Sequence, residues 1–155
     1  MKNLVSRYPE IDLVILSFLL HFAWEILQSP LFSSLDDVSH LAAIRVCLQA
    51  ALGDVVIGLV AFWAVALLSG RQWIAALNWR NVIAFLAAGL VITVFLEYLN
   101  TEILRRWTYG ADMPTLPFFG TGLSPILQWI IVPLVVLWYL KRLAHAERRQ
   151  GSIYP

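Results

Sequence analysis

Charge is scarce in this sequence. Of 155 residues only 14% are charged, while 60% are apolar, against about a quarter charged in an ordinary soluble domain. That balance excludes both a disordered chain and an ordinary soluble fold. The charges nearly cancel, with 11 Lys and Arg against 10 Asp and Glu, so there is no basic excess for nucleic acid. Cysteine is almost absent. The lone Cys47 rules out an intramolecular disulfide and a Cys-rich zinc site. Also missing are a Gly-rich phosphate loop, a Ser-His-Asp pattern and a nucleotide fingerprint. No repeat of 34 or 40 residues and no low-complexity tract breaks the chain, and its length suits one domain, 1–155.

What the sequence does have is apolar stretches long enough to span a bilayer, which takes about 20 residues. Four qualify, at about 11–28, 41–68, 82–103 and 124–140, followed by a tail at 141–155. They predict an all-α integral membrane protein, a bundle of four transmembrane helices with the lipid bilayer as its surroundings. The punctuation agrees. Pro9 precedes the first stretch and Pro30 follows it, Ser39 caps the second and Gly70 ends it. Ser124-Pro125 reads as an N-cap followed by proline in the first turn, and Pro133 should kink the fourth helix. The first stretch carries Glu25 and lacks an Ala-x-Ala site after it, so we expect it to be retained rather than cleaved as a signal peptide. Trp73, Trp79, Trp107, Tyr109, Trp138 and Tyr139 fall near span ends, where aromatic belts sit. Lys2, Arg7, Arg71, Arg80, Lys141, Arg142, Arg148 and Arg149 share one side, which the positive-inside rule makes cytoplasmic. Both termini then face the cytoplasm, an arrangement that suits a bacterial inner membrane.

Ionisable and amide side chains at membrane depth are costly and mark function by default. Span one carries His21, Glu25 and Gln28; span two, Gln49 and Asp54; span three, Thr93, Glu97 and Asn100; span four, Gln128. With a rise of about 1.5 Å per residue, all of them fall in the outward half. His21, Glu25 and Gln28 share one helical stripe, as do Thr93, Glu97 and Asn100 above Gly89. Cys47, Ala50, Ala51, Asp54, Gly58 and Ala61 form a small-residue face that lets helices approach closely. We expect a polar pocket in the outward half, rimmed by the 104–123 loop, which either folds back as a lid or lies in the outer interface.

In the chemical reading, His21, Glu25, Asp54 and Glu97 are the catalytic set. One carboxyl acts as acid and another as base, and His21 tunes or relays the proton. Trp24, Gln28, Gln49, Asn100, Trp107, Tyr109, Gln128 and Trp129 then line an apolar ligand, with the Trp24 and Trp129 rings placed to stabilise a cation. In the plainer reading, His21 and Glu25 bond each other, Asp54 bonds Gln49 or a neighbouring helix, Gln128 is an interhelical bond, and the chain is a non-enzymatic membrane subunit or binding module. Cys47 reads as a small buried hydrophobe, and Arg105 and Arg106 as snorkelling anchors. Ligand types alone do not make a metal site without a tight spacing such as His-Glu-x-x-His, so no metal or cofactor is expected. A proton or ion path is disfavoured, because apart from Asp12 the inner halves carry no charge. The sequence leaves open both a homo-oligomer and a membrane partner.

The His21-x-x-x-Glu25 pair in the first of four spans resembles the EXPERA-type membrane proteins, which include emopamil-binding sterol isomerases. That resemblance implies a first-span His and Glu and a second-span acid serving substrate protonation, at His21, Glu25 and Asp54, with Trp129 matching an aromatic residue of the last helix. The second-span acid here is Asp rather than Glu. Trp107-Thr108-Tyr109 and the Met113–Pro117 turn are similar to the small lycopene-cyclase domain, although Phe118-Phe119 stands where that family has paired acids. Both resemblances imply proton-driven isomerisation or cyclisation of an isoprenoid-like molecule.

Overall fold

The computed structural model describes residues 8–117 and 120–151, with side chains to 146. Lys2, Arg7, Phe118, Phe119 and the side chains of Arg148 and Arg149 lie outside the described residues. Four helices carry the chain: α1 (Pro9–Gln28), α2 (His40–Ser69), α3 (Trp79–Tyr98) and α4 (Leu123–Gly151). Each of the first three begins where the chain supplies a start signal. Pro9 stands in the first turn of α1, where its missing N–H costs nothing. The Ser39 hydroxyl accepts the Ala42 N–H at 3.3 Å to cap α2. The Asn78 side chain accepts the Asn81 N–H at 2.9 Å to cap α3. Gly70 ends α2 with φ 82, a left-handed conformation that glycine adopts without strain. Short 3-10 turns at Ser29–Leu31, Ser33–Leu35 and Trp73–Ala76 fill the connections.

Two ends differ from expectation. α4 runs about ten residues past Leu140, because the following KRLAHAER segment contains good helix formers and no breaker. α3 continues into a π turn, Leu99–Ile103, whose wider loop is closed by Leu104 N–H donating to Leu99 O at 2.8 Å. Arg105 follows at φ 49, an uncommon conformation for a residue with a Cβ.

α1 packs against α2 and α4, α2 against α3, and α3 against α4. The distribution of side chains inverts the soluble pattern. Ile15, Leu19, Leu52, Val56, Leu67, Val91, Phe95 and Ile131 face outward, while Ser17, His21, Gln28, Asp54, Asn81, Thr93, Asn100 and Gln128 are buried. Water would penalise such a surface, and lipid would not. Three helical stretches, His40–Ser69, Trp79–Ile103 and Leu123–Ala146, are long and apolar enough to cross a membrane.

The interior divides along the helix axes. One half is an apolar core of Leu13, Phe62, Val65, Phe85, Val132, Val136 and Leu137. Trp73 belongs here and not to an aromatic belt. It is 2% exposed and lies between the Phe62 and Phe85 rings, with centroids 5.7 Å from each. Its 3-10 turn folds the indole inward, where burying a large apolar surface outweighs an interfacial position. Trp79, Trp138 and Tyr139 do lie on the outside. The other half holds most of the buried polar residues; Asn81 is the exception, accepting from the Ser69 hydroxyl at the apolar end.

The described residues of the next connection, 104–117 and 120–122, fold back across the polar end. Gly110 N–H donates to Leu31 O at 2.7 Å, and the Ser33 hydroxyl contacts Thr108 Oγ1 at 2.9 Å and donates to Tyr109 O at 3.2 Å. Leu116 N–H donates to Thr121 O at 2.9 Å, and Leu123 N–H to Pro114 O at 2.7 Å. These contacts hold the loop against the turns at Leu31 and Ser33.

Candidate functional site

The expected stripes do meet. α1 offers Trp24, His21, Glu25 and Gln28, α2 offers Asp54, and α4 offers Ser124, Gln128 and Trp129. α1 and α4 are joined by a directional string of hydrogen bonds. Trp24 Nε1–H donates to Ser124 Oγ at 3.2 Å, and the Ser124 hydroxyl donates to Gln28 Oε1 at 2.7 Å. Gln28 Nε2 donates to Glu25 Oε1 at 2.9 Å and to Gln128 Oε1 at 3.3 Å.

Gln128 is the hub. Its Nε2 lies 2.9 Å from His21 Nδ1, 2.9 Å from Glu25 Oε1 and 3.1 Å from Asp54 Oδ2. An amide nitrogen carries two hydrogens, and three acceptors face it. Turning the amide over would set its oxygen against both carboxylates and oppose its nitrogen to that of Gln28, so the network fixes its orientation. The third hydrogen must come from the groups themselves. His21 Nδ1 also lies 3.3 Å from Asp54 Oδ2. With its hydrogen on Nε2 the imidazole accepts from Gln128 at Nδ1; with a hydrogen on Nδ1 it donates to Asp54 and leaves the Gln128 amide to the two carboxyls. Asp54 is held from its other side by Trp129 Nε1–H, which donates to Oδ1 at 2.8 Å. The Trp129 ring also lies against His21, 5.3 Å between centroids. A carboxylate that fixes the imidazole through one nitrogen leaves the other, Nε2, to exchange protons.

Backbone approach makes this possible. A Cβ added at Gly89 would fall 2.2 and 2.4 Å from the Trp129 ring. Only glycine on α3 lets the indole sit where it reaches Asp54. On the other side a Cβ added at Gly58 would make ordinary contact, at 3.7 Å, with the Leu13 and Ser17 side chains of α1, so α1 lies close to α2 there.

Glu97 departs from the expected set. It takes the Tyr109 hydroxyl in a hydrogen bond, and the Trp107 indole N–H is buried beside it. It therefore ties the 104–122 loop to α3 instead of joining the hub. Burial, together with the nearby Glu97 carboxylate, pushes the Tyr109 phenol above its ordinary value, so it remains a donor. Asn100 is buried and donates from Nδ2 to Leu96 O at 2.7 Å. Gln49 is exposed and stands outside the site. It lies five residues before Asp54, about 140° around a helix, so the face that buries Cys47, Ala51, Asp54 and Gly58 turns it outward. Cys47 is buried, its thiol donating to Glu25 O at 3.6 Å.

Ser124 is the site residue that sequence reading assigned to capping alone. The signal was present: Ser124 and Gln128 are spaced i, i+4 at the start of the last helix, like Trp24 and Gln28 at the end of the first. Among the described residues no group of three His, Cys, Asp or Glu side chains is arranged to hold a metal. The chain matches none of the protein-family models, curated proteins or solved structures against which it was compared.

Proposed function

We propose that the chain is a multi-pass membrane protein of four spans, both termini cytoplasmic, in a bacterial inner membrane, that carries out proton transfer on an apolar, isoprenoid- or lipid-like ligand. α1 is the fourth span, its polar stripe turned inward and Ile11, Ile15 and Leu19 turned to lipid. The reading rests on one observation: Asp54, gripped by Trp129 and Gln128, faces His21 Nδ1 inside an apolar shell. His21 Nε2 is then the atom that gives or takes a proton, and Asp54 is a positioning residue. Protonation of a carbon–carbon double bond forms a cation. Loss of a different proton to the same nitrogen moves the double bond, and attack by a second double bond before that loss closes a ring. Glu25, held through Oε1 by two amides, and the Trp129 ring supply the negative field and π face that stabilise a cation.

The test is to purify the protein in mild detergent, identify the co-extracted lipid by mass spectrometry, and incubate that lipid with protein in D2O. Deuterium should enter the lipid with the wild type and not with His21→Asn or Glu25→Gln. Incorporation that survives both substitutions rules the mechanism out.

A second reading, a non-enzymatic subunit, is favoured by the Trp24–Ser124–Gln28–Gln128 string, in which each donor finds an acceptor as a purely structural tie would require. A protein that carries no stoichiometric lipid and labels none would move the weight there, and the search would turn to a protein partner.

A further inference from the structure

The hub is nearly saturated with hydrogen bonds, but the region between α3 and the folded-back loop is not. On the α3 stripe, Thr93 is 5% exposed and Asn100 7%, and Thr93 Oγ1 and Asn100 Oδ1 have no hydrogen-bond partner among the described residues. On the loop, Thr121 is 1% exposed and its Oγ1 is likewise unpartnered. The two sides are joined by Tyr109. Its hydroxyl donates to Glu97, between Thr93 and Asn100 on the stripe, and its ring passes so close to Gly122, the neighbour of Thr121, that a Cβ there would fall 3.1 Å away. An unpaired buried polar atom costs about 1–3 kcal/mol, and these three, with the Trp107 indole N–H beside Glu97, call for an explanation. The π turn belongs to the same place. It widens α3 at Leu99–Ile103, and such insertions recur at functional sites.

The chemistry of the unpaired atoms is specific. Asn100 Oδ1 accepts only, so it needs a donor. The two threonine hydroxyls both give and accept. Beside Glu97 a phosphate or carboxylate headgroup would be repelled. An ammonium would serve Asn100 and be drawn to Glu97, but it would leave the threonine hydrogens without an acceptor. A hydroxyl both gives and accepts, and it enters without burying a charge.

We infer that the region between α3 and the described part of the loop, at Thr93, Asn100, Tyr109 and Thr121, opens to take the hydroxyl headgroup of an amphiphilic alcohol, whose apolar tail runs down toward the Gln128 hub. This rests on the proposed proton-transfer site as the place where the tail reacts, and it names the ligand as an alcohol rather than a hydrocarbon, an amine or a phosphate ester. The loop is the cover of the headgroup site, and the Tyr109–Glu97 bond is its fastening.

The protein in phosphatidylcholine nanodiscs is titrated with farnesol, dodecan-1-ol, farnesylamine and farnesene, following tryptophan fluorescence and unfolding temperature. Both alcohols should saturate and raise the unfolding temperature, and farnesene should do neither. Asn100→Leu should weaken the alcohols by about tenfold, the worth of one hydrogen bond. Its unfolding temperature without alcohol should change little, since the unsatisfied Oδ1 is removed together with the Nδ2 bond to Leu96 O. Equal responses to alcohol and hydrocarbon, tighter binding of the amine, or an Asn100→Leu protein that unfolds earlier and binds alcohol as well as the wild type would each overturn the headgroup site. Alcohol binding without deuterium exchange keeps this site and sinks the proton-transfer reading. Exchange without alcohol preference does the reverse.

Discussion

At Gln128 two hydrogens serve the meeting point of three helices. Replacing it with Leu keeps the apolar volume and removes both hydrogens, so the Glu25 and Asp54 carboxyls each lose a donor and keep only Gln28 on one and Trp129 on the other. Interhelical hydrogen bonds within membranes average well under 1 kcal/mol, but uncompensated buried charges cost more. We expect Gln128→Leu to lower stability by about 2 kcal/mol, seen as a lower unfolding temperature in detergent, and Gln128→Glu to do worse by adding a third carboxyl. Tyr109 gives a test by pH. Its phenol is raised by burial and by Glu97. The stability it contributes is therefore fully present below the ordinary tyrosine value, about 10, and is lost as pH rises through the raised folded value. Tyr109→Phe should remove the alkaline loss, and protease cleavage within 110–117 should become faster in that variant at neutral pH.

Helix positions were legible in the sequence because their signals are local: Pro9, Ser39 and Gly70 each act within one turn of where they stand, whereas the Asn78 cap, which starts α3 three residues before the expected Val82, went unread. Which side chains meet was legible only in part. Period alone put His21 with Glu25 and Gln28, and Asp54 on the small-residue face, and the same period would have turned Gln49 away. The partner of Glu97 was not readable, because it comes from a loop whose path depends on Leu31 and Ser33, some 75 residues earlier. Trp73 misled for a similar reason: its position beside a span end is the same whether its turn folds inward or outward. The element contact with the sharpest consequence is that of α3 on α4. Gly89→Ala places a methyl inside the Trp129 ring envelope, so the indole must shift and release Asp54. We expect a loss of about 1–3 kcal/mol, as for overpacked cores, with a shift in tryptophan emission. Trp129→Phe, in contrast, loses the Asp54 bond while keeping most of the packing.

For the molecule as a whole, the proposed topology sets 70–78 on the cytoplasmic side and 104–122 on the other. In a Cys47→Ser background, D112C should react with an impermeant maleimide added to intact cells, and Q72C only after the cells are opened. Equal labelling of both in intact cells would refute the four-span arrangement. The division of the interior also bears on how such a chain is made. The partners of α1 lie about 100 residues downstream: Trp24 bonds Ser124, and Gln28 and Gln128 bond each other. A ribosome delivers α1 first, so on that topology His21, Glu25 and Gln28 enter the bilayer before α4 exists to receive their hydrogen bonds. Until then the nascent protein is an unfinished ring with its wet face toward lipid. α1 must wait at the translocon or lean on α2 alone, and a chain stopped before Leu123 becomes a natural substrate for membrane quality control.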